Sequence, residues 1–409
     1  MTFTSRIDNN PLTPLFSLGE LYLSNFVPMD DNTEYPKQEL KLCLDEISGL
    51  VQLEQSPDFD LMYRNYWYNS GTNQSMIDAL TDIVTSITKT VELESGYRWL
   101  DIASNDSTLL SKVPDNIVKI GCDPSNIAEK NRGKIDFLIN DYFSEENMLG
   151  YGKFKVITAI AMFYDLDDPN SFLQDIYECL EDDGLFVIQM SYLPLMLKQL
   201  AFDNILMEHI CYYSLTVLKK LYDEAGFRIV DVQINDVNGG SFRVYAQKDV
   251  APINSFSTAP NRDVCSFRVI STLEYEKTLD LLNIETYKKF FENIQELKVT
   301  TVDFIKRSKA EGKTIYGYAA STKGNTLLQY FGLDNTLIDA IAERQSIKYG
   351  LKTVGTNIPI ISEHEMRQRH PDYLLILPWH FIYEFKKRES EYLKKGGKFI
   401  VPCPKFEVI

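Results

Sequence analysis

The sequence is short of several things, and each shortage excludes a class of protein. No apolar run approaches the roughly 20 residues that a membrane-spanning helix needs, so no membrane span is expected. The opening MTFTSRIDNN has neither a basic nor an apolar stretch, so no secretory leader is expected either. The six cysteines are scattered without a CxxC pair, which fits a reduced, cytoplasmic protein with no disulfide framework. Basic residues are outnumbered, 42 against 58 acidic, for a net charge of -16. Such a surface repels nucleic acid and anionic lipid, so no nucleic-acid or membrane partner is expected. Histidine is rare: four residues, at 209, 364, 370 and 380.

What is present is a chain of 409 residues, 44% hydrophobic, too long for one average core. Residues 1–70 read as a small irregular lobe with Pro, Asn and Asp punctuation. Met76, Ile77, Leu80, Ile83, Val84 and Ile87 then fall on one face at helical spacing. Apolar runs at Arg98–Ala103, Val118–Cys122, Phe137–Ile139, Val156–Ile160 and Leu185–Met190 alternate with helical stretches such as Phe172–Leu180 and Ser214–Ala225. Strands apolar on both faces and separated by helices predict an α/β fold with a doubly wound parallel sheet. Phe227–Ile234 and Phe242–Gln247 predict a closing antiparallel pair around the turn NDVNGG. The Pro-, Ser- and Asn-rich stretch 251–263 reads as a linker. Leu273–Ala310 reads as two long helices, and Thr314–Ala319, Leu337–Ala342, Tyr373–Leu377 and Lys398–Val401 as strands of a second Rossmann-like unit. The expected division is 1–70, 71–250 and 251–409.

Glycine is missing where a nucleotide turn would be expected to carry it. In WLDIASNDSTLL a strand ends at Asp101 and turns through Ala103, Ser104, Asn105 and Ser107. A second acid, Asp123, followed by Pro124, ends the next run, and Asp141 ends the third. Any one of these alone reads as a helix cap; together, at successive strand ends, they read as a cofactor rim. A diphosphate would be repelled there and a sulfonium attracted. With no GxGxxG, the pattern favours S-adenosylmethionine over NAD and a class I methyltransferase core.

WLDIASNDSTLL, GCDPS, ITAIAMFYDLDDP, DDGLFVIQMSYLPLML, FDNILMEHICYYS and NDVNGGSFRVYA together resemble the sugar C-methyltransferase family. SGLVQL, NSGTNQSM, YGYAASTKGNTLLQYFG, AERQSIKYG and LPWHF extend the likeness over nearly the whole chain. The resemblance implies a zinc-binding N-terminal lobe, the methyltransferase core, and a C-terminal Rossmann-like domain that helps hold a nucleotide sugar. It implies methyl transfer from S-adenosylmethionine to a carbon of a nucleotide-linked keto-deoxysugar, by a monomer or homodimer.

The sequence departs from the family in several places. Its glycine turn becomes Ala103-Ser104-Asn105-Asp106-Ser107. Alanine at the first position is cheap if φ there is negative, and Ser107 is expected to cap the following helix. The four zinc-ligand positions become Ser5, Asp8, Cys43 and Ser48, so no zinc is expected. The lobe would be held instead by Leu15, Leu18, Leu21, Phe26, Leu50 and Val51.

Methylating a carbon beside a ketone needs a base, a donor to the enolate oxygen, and alignment with the methyl group. By the resemblance His209 is the base and Glu208 the acid that orients or tunes it; the rival reading of His209 is packing among Tyr212 and Tyr213. Asp165 stands where the family has a histidine, and Tyr66 or Tyr68 is a candidate phenol donor. Asn238, Gly240, Ser241 and Arg243 suit a sugar diphosphate, against the alternative of an ordinary hairpin turn. YAASTKGN, with Lys323 and Asn325, reads as an anion site after a strand. Glu343, Lys348, Trp379 and His380 are weaker binding candidates. Sugar O-methylation and a catalytically decayed binding protein are the competing functions.

Overall fold

The helical face that begins at Met76 forms as its spacing predicts. In the computed structural model, which describes residues 3–64, 69–250 and 266–409, it becomes the helix Gln74–Thr90. Asn73 caps it by accepting the Ser75 N–H. Leu80, Ile83, Val84 and Ile87 pack against Trp99, Val156, Val187 and Tyr245, so the helix covers one face of the central sheet.

That sheet has seven strands. Five are parallel: Leu180–Ser191, Phe154–Ile160, Arg98–Ile102, Val118–Cys122 and Phe137–Ile139, in spatial order. Phe227–Asn235 and Ser241–Lys248 close it as the expected antiparallel pair. The chain reverses direction of winding between Arg98–Ile102 and Phe154–Ile160, where such sheets bind ligands at their carboxyl ends.

A second sheet runs Ile360–Ser362, Ala340–Glu343, Ile315–Tyr318, Tyr373–Ile376 and Lys398–Val401 in parallel, with Glu407–Val408 antiparallel at its edge. The helices Phe267–Lys277 and Ile284–Ala310 precede it. The stretch 251–263 lies outside the described residues.

The first lobe differs from the irregular reading. It is built on strands Thr13–Tyr22, Lys37–Leu44 and Val51–Leu53. Its pairing slips between Ser17 and Glu20, at Gly19, whose φ is +86°. This bulge breaks the period-two alternation that would have revealed the strand. The core completes the lobe's sheet: Cys211 and Tyr212 pair with Gln52 and Val51. The C-terminal unit also grips the lobe, as Gln329 accepts the Tyr22 N–H at 2.7 Å and donates to its carbonyl at 3.2 Å. Among the described residues no helix is long and apolar enough to cross a membrane.

The positions the family uses for zinc do not form a zinc site here. Asp45 sits at their centre, accepting the N–H of Ile47 at 2.9 Å and of Ser48 at 3.2 Å. The Ser48 hydroxyl bonds it too, with Ser5 and Asp8 alongside. Burial would raise the Asp45 carboxyl, but these hydrogen bonds outweigh it and hold the group well below the usual range. Burial pushes the Cys43 thiol up to about 11, so it is no thiolate at neutral pH. Two hydroxyls and Asp8 gathered on the Asp45 carboxylate, with one protonated thiol, do not match a structural zinc site of four good N or S donors.

Candidate active site

The carboxyl ends of both parallel sheets open onto one cavity of about 770 Å³. On the core side its wall is the turn after Arg98–Ile102. The Ala103 N–H bonds the Cys122 carbonyl at 2.8 Å, which pins the turn to the neighbouring strand. Asp123 Oδ2 accepts the Asn105 N–H at 2.7 Å, and Oδ1 accepts the Ser125 N–H at 2.7 Å. The acid therefore shapes the turn as well as facing the cavity.

Two expectations about this turn are corrected. Ala103 has φ +58° and Ser107 φ +62°, with Asn105 between them at +52°. Both replaced glycines thus lie in the left-handed region, where a Cβ is disfavoured by about 1 kcal/mol. Ser107 caps no helix: the next helical turn, Leu110–Lys112, starts after Leu109. The Ser104 and Ser107 hydroxyls are buried and have no hydrogen-bond partner among the described residues.

A clamp that sequence reasoning missed holds the turn from outside. Asn105 Oδ1 accepts the Ser70 N–H at 3.0 Å, and Asp106 Oδ2 accepts the Gly71 N–H at 2.8 Å. A Cβ on Gly71 would lie 2.8 Å from both Asp106 Oδ2 and Thr108 Oγ1, so a larger residue there would displace the side chains that make the clamp. NSGTN is therefore a lid on the turn, a role its composition alone does not show.

Asp101, Ala103, Ser104, Asn105, Asp123, Pro124 and Asp141 all reach the cavity. Asp101 accepts the Thr158 hydroxyl at 2.6 Å; burial pushes its carboxyl up to about 7, with the Asp123 charge adding and Thr158 opposing. Asp141 is exposed and accepts the Tyr142 N–H at 2.9 Å. An acidic rim with an unpartnered Ser104 hydroxyl fits the sulfonium and polar groups of S-adenosylmethionine.

His209 and Glu208 are buried and also line the cavity. Three backbone or side-chain contacts fix them. Ile210 donates its N–H to the Tyr164 carbonyl at 3.1 Å, and its own carbonyl accepts the Leu53 N–H at 2.8 Å. The Tyr164 and His209 ring centroids are 4.1 Å apart. His209 Nδ1 lies 3.0 Å from the Asn204 carbonyl, so Nδ1 carries the hydrogen and Nε2 is the basic nitrogen. Burial, then the Lys323 charge, lowers the imidazole to about 3, against the Asn204 hydrogen bond. Asn204, which sets the tautomer, carried no signal in the sequence. Asp165 joins Glu208 on the wall, and Tyr66 and Tyr68 lie outside the described residues.

The proposed substrate residues divide. Asn238, Ser241 and Lys323 line the cavity; Gly240, Arg243 and Asn325 do not. The expectation that Arg243 meets a diphosphate is overturned. Its guanidinium is buried and bonded to Gln189 at 2.9 Å, Ser86 at 3.2 Å and Asp82 at 2.8 Å, so it ties the sheet to the helix Gln74–Thr90. Gly240, with φ +116°, packs on Leu195, and Asn325 lies 3.5 Å from the Asn25 carbonyl.

The C-terminal sheet repeats the acid-to-turn clasp. Glu343 accepts the Ala320 N–H at 2.8 Å, and those of Arg344 at 2.7 Å and Gln345 at 2.8 Å. Lys348 donates to the Ala320 carbonyl at 2.8 Å, and Trp379 donates to Asp203 at 3.0 Å. Glu343, Lys348 and His380 reach the cavity, but Glu343 and Lys348 are engaged with their own fold.

Comparison with known proteins agrees with this layout. Residues 72–232 match a methyltransferase domain and 236–404 a C-methyltransferase C-terminal domain. C-methyltransferase NovU of Streptomyces niveus is 30% identical over 368 residues, covering 88% of this chain and 85% of NovU. Solved structures resemble part of the chain. An S-adenosylmethionine-dependent methyltransferase from Clostridium acetobutylicum gives a TM-score of 0.35 at 12% identity, covering 42% of this chain and 92% of its own. The magnesium protoporphyrin IX methyltransferase of Synechocystis gives 0.35 at 11%, covering 43% and 88%. The chain belongs to the C-methyltransferase family that includes NovU, and is an S-adenosylmethionine-dependent C-methyltransferase.

Proposed function

We propose that the protein methylates a carbon beside the ketone of a nucleotide-linked 4-keto-6-deoxysugar, through an enolate formed by His209. The observation that carries this is the His209 imidazole, held neutral on the cavity wall with Nδ1–H committed to the Asn204 carbonyl. That leaves one basic nitrogen for one proton. S-adenosylmethionine supplies the methyl group on its sulfonium when bound, and Ser104, Asn105, Asp123 and Asp141 are the residues placed to hold it. Asn238, Ser241 and Lys323 form the part of the wall suited to the sugar and its phosphates.

The test is solvent exchange. Incubated in D2O with dTDP- and GDP-linked 4-keto-6-deoxyhexoses, the enzyme should place deuterium at the carbon next to the ketone. His209→Ala should lose roughly 10²–10⁴-fold in both exchange and methyl transfer. Methyl transfer to a hydroxyl, with no exchange at carbon, would favour the O-methyl reading and sink this one.

A further inference from the structure

Asp165 ends a short turn, Phe163–Asp165, just beyond the core strand Phe154–Ile160. It shares the cavity wall with Glu208 and His209. The two segments are locked together by the Ile210–Tyr164 hydrogen bond and the Tyr164–His209 ring contact described above.

We propose that Asp165, paired with Glu208, is a catalytic residue that acts as a carboxylic acid and donates a hydrogen bond to the enolate oxygen. The proposal rests on the carbanion reading above and gives that reading its missing donor.

Three observations carry it. Asp165 lines the cavity, and its Oδ1 is buried with no hydrogen-bond partner among the described residues. Neither Asp165 nor Glu208 forms an ion pair among the described residues. Among the described residues, the groups that act on Asp165 are the Glu208 carboxyl and the Tyr63 phenol, with Tyr212 and Cys211 near it; none of these is a cation. Two carboxyls in such surroundings cannot both ionise at neutral pH, so one keeps its proton. Burial pushes Glu208 up to about 7, and burial plus the Glu208 charge drives Asp165 well above the carboxylate range.

The step balances without a further reagent. His209 Nε2 takes the proton from carbon. The C–H electron pair becomes the enolate double bond, and the carbonyl π pair moves to oxygen. The Asp165 O–H bonds that oxygen without giving up its proton. The enolate carbon then forms the C–CH3 bond while the sulfonium S–CH3 bond breaks, its electrons staying on sulfur. His209 releases its proton to solvent.

The test compares Asp165→Ala, which has no donor, with Asp165→Asn, which has one that cannot titrate. Both are assayed for deuterium exchange and methyl transfer on the same nucleotide ketosugars across pH. Calorimetry with S-adenosylhomocysteine on each variant checks that the fold stands. Asp165→Ala should lower kcat about 10²–10³-fold with KM little changed. Asp165→Asn should stay within about tenfold of wild type and lose the fall in kcat that wild type shows at alkaline pH. Wild-type exchange with an Asp165→Ala kcat within twofold overturns this assignment alone. So does an equal loss in both variants with an unaltered pH profile. Methyl transfer by wild type with no exchange overturns the carbanion reading, and the proposal with it.

Discussion

Lys323 donates to the Asn238 carbonyl across 2.8 Å, joining the first turn of a C-terminal helix to the hairpin that closes the core sheet. The bond places a buried ammonium on the cavity wall. Its charge lowers the proton affinity of both His209 and His380, and Asp203 is its nearest compensating acid. The cavity wall thus carries a buried cation as well as the carboxyls of the cofactor turn.

Removing that cation should be legible in the base. In Lys323→Met, the His209 imidazole should titrate above its present value of about 3, because a like charge has gone. It should remain below 6.5, because burial is the larger cause of the depression. NMR titration of the His209 ring protons measures this directly. An unmoved His209 would mean that the Lys323 charge does not reach it.

The cofactor turn yields a second prediction. Ala103 and Ser107 both sit at positive φ, and Ser107 also buries an unpartnered hydroxyl. Ala103→Gly and Ser107→Gly should each stabilise the protein by about 0.5–1 kcal/mol, even after glycine's greater freedom in the unfolded chain. The expected rise in Tm is about 2–4 °C for the pair, with tighter binding of S-adenosylhomocysteine. Thermal melts and calorimetry check it; a lower Tm in both variants would remove the strain argument.

These positions show how far the sequence could be read. The parallel strands were legible because both of their faces are buried, which leaves largely apolar runs such as Val156–Ile160. The acids at 123 and 343 were visible as residues, but their clasp on the preceding turn was not, since it depends on backbone direction. Ala103 hid a positive φ behind a side chain that normally avoids one. Arg243 misled because it follows the turn NDVNGG closely, yet its side chain is consumed by Gln189 and by Asp82 of the helix Gln74–Thr90. The first lobe was misread because Gly19 interrupts its alternation, and because its last strand comes from residues 211–212.

Asp45 is the hub that composition concealed, and it gives a third prediction. The purified protein should carry no stoichiometric zinc, and EDTA should leave its Tm unchanged. Asp45→Ala should destabilise the lobe by about 2–4 kcal/mol, since the N–H groups of Ile47 and Ser48 lose their acceptor. The sign of the pH effect follows from the depressed carboxyl. Its stabilisation is present above the unfolded Asp pKa and is lost as pH falls through the folded one. The wild-type advantage over Asp45→Ala should therefore shrink only in strong acid. Elemental analysis, melts with chelator and acid titrations check these points, and a chelator-induced fall in Tm would refute the metal-free lobe.

Glu208 makes the opposite linkage and the last prediction. Its folded carboxyl is raised by burial from 4.5 to about 7. A raised pKa means that stability is full below the unfolded value and falls as pH rises through the folded one. Glu208→Gln removes the charge without changing the shape. It should match wild type in stability near pH 4.5 and gain on it steadily up to pH 7. Above that the gap should level off at no more than about 3 kcal/mol. Urea unfolding at fixed pH values measures the gap. The same variant should methylate more slowly, because the acid pair beside Asp165 is gone. A more stable, slower enzyme would show that this buried carboxyl is kept for chemistry, at the expense of the fold. Equal stability at every pH would show that Glu208 is already solvated or neutralised in the folded protein.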